Sequence, residues 1–390
     1  MGSFPECNLL FIKKRKIMKP MKIIPMPGML QTIVPFKPKY PVLNKINKRI
    51  EVLIVAKPLD PKANQKNVAI VWDENNILAI LSTAYSHVII TEIKTENDLK
   101  QLAIRKPDLV FSGVKYFDFN QRTIWLNDYL EIHGIAYMAS GRQALQNEHD
   151  KSRAKEIMQQ AKVNTADFFT TEPGEHPNEE SLPIAFPLFI KPVTGGDSRG
   201  VDSNSVVYDF KSFEAKVLDI KIKQKSTSLV ETYLSGKEYS VGILEDSTSG
   251  TLKAMPVEIV VEKNSNGHCI LDYDIKKNDS EEVIPVTNSK IFQQLCTLAK
   301  KSFRALGGKS LGRIDIKMNH LEVPYFIEAN LMPGLRKGYF YRACSYNLNI
   351  GYEEMILLIA KNGLASSKEY SVAKIKVPKL IENLSLSYLN

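Results

Sequence analysis

Two short stretches in the last third of the chain constrain its fold more than any others: Gly312-Arg-Ile-Asp-Ile-Lys317 and Tyr325-Phe-Ile-Glu-Ala-Asn330. Each alternates polar and apolar residues with the period of two that a strand imposes, because successive side chains point to opposite faces. Arg313 and Asp315 share one face of the first strand, with Ile314 and Ile316 on the other. Glu328 and Asn330 share a face of the second, with Ile327 and Ala329 behind them. If residues 318–324 turn the chain, the polar faces meet and gather two carboxylates, an amide oxygen and a guanidinium. Hard cations such as Mg2+ prefer oxygen donors of this kind and keep positions for water and phosphate. An exposed hairpin with a salt bridge is the plainer reading; having all four groups on matching faces favours the metal site.

Upstream, Phe186-Pro-Leu-Phe-Ile-Lys191-Pro192 reads as a buried strand closed by a lysine, which needs an anionic partner. The loop Thr194-Gly-Gly-Asp-Ser-Arg-Gly200 follows, and its backbone N–H groups can approach phosphate oxygens. No Gly-Lys-Ser or Gly-Lys-Thr closes it, so it is not a Walker A loop, and a simple turn explains it equally well. A third element, Leu229 to Ile243, breaks at Ser235-Gly236 with Glu231 and Glu238 on either side. A hinge with carboxylates facing a cleft suits adenine and ribose, a hairpin being the bland alternative.

From residue 50, short β-branched runs at 51–56, 88–90 and 108–111 alternate with longer mixed segments, the pattern of βαβ units. Thr95-Glu96-Asn97-Asp98 reads as a capping box, and Pro107 breaks that helix. Residues 50–147 are expected to form a doubly wound N-terminal α/β lobe. A helix over 150–161 opens a central α+β lobe, 148–238, and a second α+β lobe spans 239–365. There Ile291, Leu295, Leu298, Ala299 and Phe303 share a helical face that Gly307-Gly308 ends. A last helix is expected over 351–360, with a tail at 366–390.

The net charge of +9 raises the question of nucleic acid. Residues 1–49 hold eleven Lys and Arg against the single acid Glu6, so the rest carries 41 basic and 42 acidic side chains. A neutral body gives no reason to expect a nucleic-acid partner. The arm also holds seven of the 20 prolines and reads as extended or disordered. It is taken as a solvated leader, or as sequence ahead of a start at Met18 or Met21, in preference to an RNA- or membrane-touching segment. Leu9–Ile12 is too short to span a bilayer and precedes its basic run, the reverse of a secretory signal, so a cytoplasmic location is expected. The four cysteines and six histidines show no metal-ligand spacing and no disulfide framework.

In this order, the three elements resemble the ATP-grasp superfamily, and within it the D-alanine–D-alanine ligase group, over residues 50–365. The resemblance implies an ATP-grasp fold in which two α+β lobes clamp ATP, with Mg2+ (or Mn2+ in its place) as cofactor. It implies ADP-forming ligation of a small carboxylate to a small amine through an acyl phosphate. Lys151 and Lys191 would bind the phosphates, Gly196 and Ser198 would cover them, and Lys276 would reach the terminal phosphate. Glu231, Leu234 and Glu238 would line the adenine and ribose pocket. Asp315, Glu328 and Asn330 match the metal ligands, and Arg313 the arginine that stabilises the tetrahedral intermediate. Related ligases are often dimers, and no membrane partner is implied.

The departures concern the substrates. Where the group carries a His-Gly pair and an acidic turn for the first substrate's ammonium, this chain has Phe111-Ser-Gly-Val-Lys115-Tyr-Phe-Asp118. Where it has a serine after Pro-Gly for the second substrate's carboxylate, Arg336, Lys337, Tyr339, Tyr341 and Arg342 stand instead. The tyrosine expected after Lys276 is Lys277. A larger or more anionic substrate is expected, with Lys115, Arg336, Tyr339 and Arg342 as its contacts, and an amino-acid or peptide ligase rather than a cell-wall enzyme. A true D-alanine–D-alanine ligase is the alternative, and a non-catalytic ATP-binding regulator the alternative of another class.

Overall fold

The computed structural model describes residues 45–55, 68–69, 73–119, 122–196, 198–264, 267–278 and 280–373, all within one compact unit, Val42–Asn390. The basic arm up to residue 44, and the tail from 374, lie outside the described residues. The first lobe runs β1 (Ile46–Val55), β2 (Val68–Ala69), α1 (Glu74–Ala84), β3 (Tyr85–Ile93), α2 (Glu96–Arg105), β4 (Leu109–Ser112), β5 (Val114–Phe119), β6 (Arg122–Trp125), α3 (Leu126–Ile132), β7 (Ala136–Tyr137) and α4 (Arg142–His149). Its main sheet has the all-parallel order β3-β1-β4-β7, and β2, β5 and β6 form a small antiparallel sheet. Leu99 and Leu102 of α2 and Leu126 and Leu130 of α3 pack in one apolar cluster, Ile77 and Leu81 of α1 in another. The lobe is doubly wound, as its alternating pattern requires. Thr95 caps α2 as expected: its side chain accepts from the Asp98 N–H while the Asp98 carboxylate accepts from the Thr95 N–H at 2.8 Å.

The strand β1 begins at Ile46, inside the segment expected to be an arm. Two of that segment's basic residues have structural work: Lys48 donates to Asp108 at 2.7 Å, and Arg49 donates to the Lys106 carbonyl at 2.9 Å. Partners 60 and 57 residues downstream, a carboxylate for Lys48 and a carbonyl for Arg49, are invisible to local composition and tie this segment to the sheet.

The chain continues through α5 (Lys151–Gln160), β8 (Phe168–Thr171), β9 (Leu188–Pro192), β10 (Val206–Val207), α6 (Phe210–Gln224) and β11 (Ser228–Thr232), with the antiparallel order β10-β9-β11-β8. It then forms β12 (Glu238–Glu245), β13 (Leu252–Val260), α7 (Tyr273–Asn278), β14 (Glu282–Pro285), α8 (Ser289–Ala305), β15 (Leu311–Met318), β16 (Pro324–Asn330), α9 (Tyr339–Leu348) and α10 (Tyr352–Ala373). This last sheet has the order β14-β13-β12-β15-β16 and is antiparallel throughout. Leu295, Leu298, Ala299 and Phe303 of α8 are buried against it; Ile291, expected with them, is only half-buried in the first turn.

The helix α10 runs past the expected end at 360, through Asn362-Gly363, and into the expected tail, with no Pro inside it. Its Ile356, Ile359 and Ala360 share a core cluster with Ile50, Leu109 and Ala136 of the first lobe. The last helix therefore completes the apolar cover of the first sheet. Gly363 permits the approach, since a Cβ there would lie 2.9 Å from the Leu109 side chain.

Candidate active site

The hairpin β15–β16 brings the four polar groups together. Asp315 lies opposite Glu328, and Arg313 opposite Asn330. Arg313 donates to both carboxylate oxygens of Asp315, each at 2.9 Å, and Ser240 on β12 donates to the same carboxylate at 2.7 Å. Burial alone would lower the Arg313 pKa, but Asp315 outweighs it and keeps the guanidinium charged. The register is interrupted by a bulge: Asp315 pairs with Glu328 but Ile316 with Phe326, leaving Ile327 without a partner. Two residues opposing one turn the extra side chain. Ile327, expected behind the sheet, instead joins Glu328 in lining a cleft.

That cleft, about 850 Å3 and partly open to solvent, lies where the two α+β sheets meet. Lys151, Lys191, Lys276, Glu231, Glu238 and Glu328 line it, with Gly196 and Ser198 on the loop after β9. Phe189, Tyr233, Leu234, Ile270, Leu271 and Phe326 give it apolar walls. Burial would raise the Glu328 pKa; Lys276, Lys151, Lys191 and Arg313 together outweigh this and lower it to about 2. A strongly ionised carboxylate thus stands among cations that exceed it in number.

Lys191 closes β9 with its Nζ 2.7 Å from Glu231, the anionic partner its buried position demanded. Glu231 has a second partner that the sequence analysis missed. Lys155, on α5, has no exposed surface and lies 2.5 Å from the other Glu231 oxygen, with a further bond to the Thr165 hydroxyl at 2.7 Å. One signal pointed to it: Lys155 follows Lys151 by one helical turn and shares its face. Burial raises the Glu231 pKa, but the two lysines reverse the shift and keep it ionised. The carboxylate of Glu231 is therefore engaged by lysines, and its contribution to the cleft wall is to fix Lys191.

The loop after β9 is anchored at both ends. Asp150 caps α5 through the Ser152 and Arg153 N–H groups, and Lys151 donates to the Gly195 carbonyl at 2.7 Å. Ser198 donates to the Leu271 carbonyl at 2.8 Å, joining the loop to the segment that leads into α7 and Lys276. Gly195 at φ +103° and Gly200 at φ +78° occupy backbone conformations that favour glycine.

A family model described as D-ala D-ala ligase C-terminus matches residues 157–360, more than half of the chain. The chain belongs to the D-alanine–D-alanine ligase family. The D-alanine–D-alanine ligase of Leptospira interrogans is 30% identical over 271 residues, covering 67% of this chain and 74% of the relative. That of Geotalea uraniireducens is 26% identical over 284 residues, covering 71% and 85%. The crystal structure of D-alanine–D-alanine ligase from Bacillus anthracis complexed with ATP shares the fold, with a TM-score of 0.61 at 21% identity over 83% of this chain and 99% of that one. The protein is thus an ATP-grasp, ATP-dependent carboxylate–amine ligase by family.

Within this D-alanine–D-alanine ligase framework the expected substrate contacts fare differently. None of Lys115, Arg336, Tyr339 and Arg342 lines this cleft. Lys115 is not available to an anionic substrate as a free cation: its Nζ lies 2.5 Å from the buried Glu148, which also accepts the Leu331 N–H. Glu148 needed a cation once α4 carried it inside. Arg336 is exposed. Tyr339 donates to Glu281, and its ring lies 5.2 Å from the Arg313 guanidinium carbon. Burial and Glu281 push its phenol well above the ordinary range, so it remains a donor. Arg342 follows one turn later on α9, and Tyr341 packs edge-on against Tyr352.

Proposed function

We propose that this ligase activates an amino-acid or peptide carboxylate as an acyl phosphate and passes it to an amine, with substrate pockets that differ from those of its D-alanine–D-alanine ligase relatives. The observation that carries the reading is the ring of Lys151, Lys191 and Lys276 around Glu328, itself opposite Asp315. ATP brings the negative charge that three clustered lysines favour. Lys191, held by Glu231, and Lys151, at the N-terminus of α5, bind its phosphates; Lys276 reaches the terminal one. The apolar walls with Leu234 take the adenine, and Glu238, 3.0 Å from Lys317, accepts from the ribose.

Asp315, which is buried, and Glu328 and Asn330, which are half-buried, offer an all-oxygen donor set that fits Mg2+, and Mn2+ in its place. The metal, when bound, neutralises charge on the phosphates. Arg313 stabilises the oxyanion that forms when the amine attacks the acyl carbon, before phosphate leaves with the bonding electron pair. The loop 194–200, tied to Lys151 and Leu271, keeps water from the acyl phosphate, which would otherwise hydrolyse. A cytoplasmic site of action, where ATP is plentiful, fits this chemistry.

The test is ADP and phosphate release with Mg2+-ATP across a panel of amino acids, dipeptides and other amines, with mass spectrometry of the product. Turnover that requires both a carboxylate and an amine and yields an amide is expected, and Arg313→Lys lowers kcat by about 100-fold to 1,000-fold. Tight ATP binding without turnover on any pair would favour a regulator instead.

A further inference from the structure

The strand that carries Arg313 and Asp315 continues to Lys317, which the ligation chemistry leaves unused. Period-two alternation puts Lys317 on their face. Across the ladder, β12 answers each of the three: Gly242 lies opposite Arg313, Ser240 opposite Asp315 and Glu238 opposite Lys317. The Ser240 hydroxyl donates to Asp315 at 2.7 Å, and the Lys317 Nζ donates to Glu238 Oε2 at 3.0 Å. One face of two strands thus runs from the guanidinium assigned to the oxyanion, past a carboxylate assigned to the metal, to the carboxylate assigned to the ribose. Lys317 closes that row and lines the cleft together with Glu238.

Two partners fix the Lys317 ammonium. Besides Glu238, it donates to the Cys269 carbonyl at 3.2 Å. Cys269 precedes Ile270 and Leu271, both buried and both apolar walls of the cleft. The lysine therefore joins three pieces of chain at one end of the cleft: β15 through its own backbone, β12 through Glu238, and the segment 269–271. Its side chain is 13% exposed and that of Glu238 is 19% exposed, so both remain within reach of a molecule in the cleft. On Glu238, Oε2 is taken by the lysine, and no hydrogen bond among the described residues occupies Oε1. A carboxylate held through one oxygen by a charge-assisted bond presents the other in a fixed direction.

We infer that Lys317 is a positioning residue for the nucleotide: by holding Oε2 it aims Glu238 Oε1 at a ribose hydroxyl, and selection of a ribonucleotide over its deoxy analogue depends on it. This rests on the assignment of the ribose to Glu238 and adds the residue that makes that contact selective. A hydroxyl donor meets a preset oxygen at little entropic cost, whereas a nucleotide lacking that hydroxyl leaves a charged oxygen unpaired. Lys317 also offsets the charge of Glu238, which would otherwise repel the phosphates. The three lysines assigned to those phosphates stand on other elements, Lys151 on α5, Lys191 on β9 and Lys276 on α7. Loss of Lys317 therefore separates recognition of the nucleoside from binding of the phosphates.

The experiment is calorimetric titration of ATP, its 2′-deoxy and 3′-deoxy analogues and inorganic tripolyphosphate, each with Mg2+, into the full chain and into Lys317→Met. Methionine keeps most of the side chain's length and removes its charge. The native protein is expected to prefer ATP over at least one deoxy analogue by about tenfold, and Lys317→Met to reduce that preference to about twofold or less. Tripolyphosphate, which has no nucleoside, is expected to bind both proteins alike, and Lys317→Arg to recover part of the preference. A preference that survives in Lys317→Met would overturn the inference and leave the ribose on Glu238. A parallel loss of tripolyphosphate affinity would overturn it too, by showing that the whole cleft had changed. No preference in the native protein would remove the ribose from Glu238, and the inference with it. If Lys317→Met does not fold, Lys317→Gln, a shorter neutral side chain, is held to the same outcomes.

Discussion

Asp315 on β15 and Glu328 on β16 face each other in register, yet only Asp315 is bound by an arginine, while Glu328 is kept ionised by lysines from three other elements. The pair therefore divides its work: Asp315 orients Arg313 through both of its oxygens and accepts from Ser240, and Glu328 carries no arginine and is left for the larger share of the proposed cation site. Asp315→Asn is expected to lower kcat by about 100-fold and to move the rate's Mg2+ dependence to higher metal concentration. ADP release measured over a Mg2+ titration checks this; an unaltered metal dependence would remove Asp315 from the metal site.

Glu231 separates two buried lysines. Glu231→Gln leaves Lys155 and Lys191 facing each other without a counter-charge and is expected to destabilise the protein by about 3–5 kcal/mol. Equilibrium unfolding in denaturant measures it. A loss within the error of the native value would mean that Lys155 sheds its proton at little cost.

The Lys151 pKa is lowered from 10.5, by burial first and then by Lys191 and Lys276, against the pull of Glu328 and Glu231. The ammonium is the form that binds phosphate. ATP affinity is therefore expected to fall as pH rises, beginning below the ordinary lysine value, and Lys151→Met is expected to bind weakly with a flatter profile. Titration of a fluorescent ATP analogue from neutral to alkaline pH in both proteins decides the matter.

Gly236, between Glu231 and Glu238, has no room for a side chain: a Cβ would lie 2.6 Å from the backbone oxygens of Met318 and Asn319. Backbone cannot swing aside as a flexible side chain can. Gly236→Ala is expected to cost about 1–3 kcal/mol and to weaken ATP binding by shifting Leu234 and Glu238. A thermal melt and an ATP titration on one preparation test both effects, and a variant that keeps its native melting temperature would contradict the clash.

Period-two alternation placed Arg313 with Asp315 and Glu328 with Asn330, and the capping box at Thr95 and the apolar stripe of α8 were equally readable, because each depends on sterics and hydrogen bonds among close neighbours. The lysines and glutamates that line the cleft were legible through the order of their motifs. The bulge that turns Ile327 into the cleft was not, since it arises from how β16 is paired rather than from its own pattern. Nor were the partners of the charges. Lys155 meets Glu231, Lys115 meets Glu148, and Tyr339 meets Glu281 across 58 residues of chain. Local sequence thus determined which faces are polar and where the elements lie; tertiary structure alone decided which buried charges are compensated, because Coulombic partners are chosen by proximity in space. Among the described residues, that choice left buried Glu281 with the Tyr339 hydroxyl and no cation.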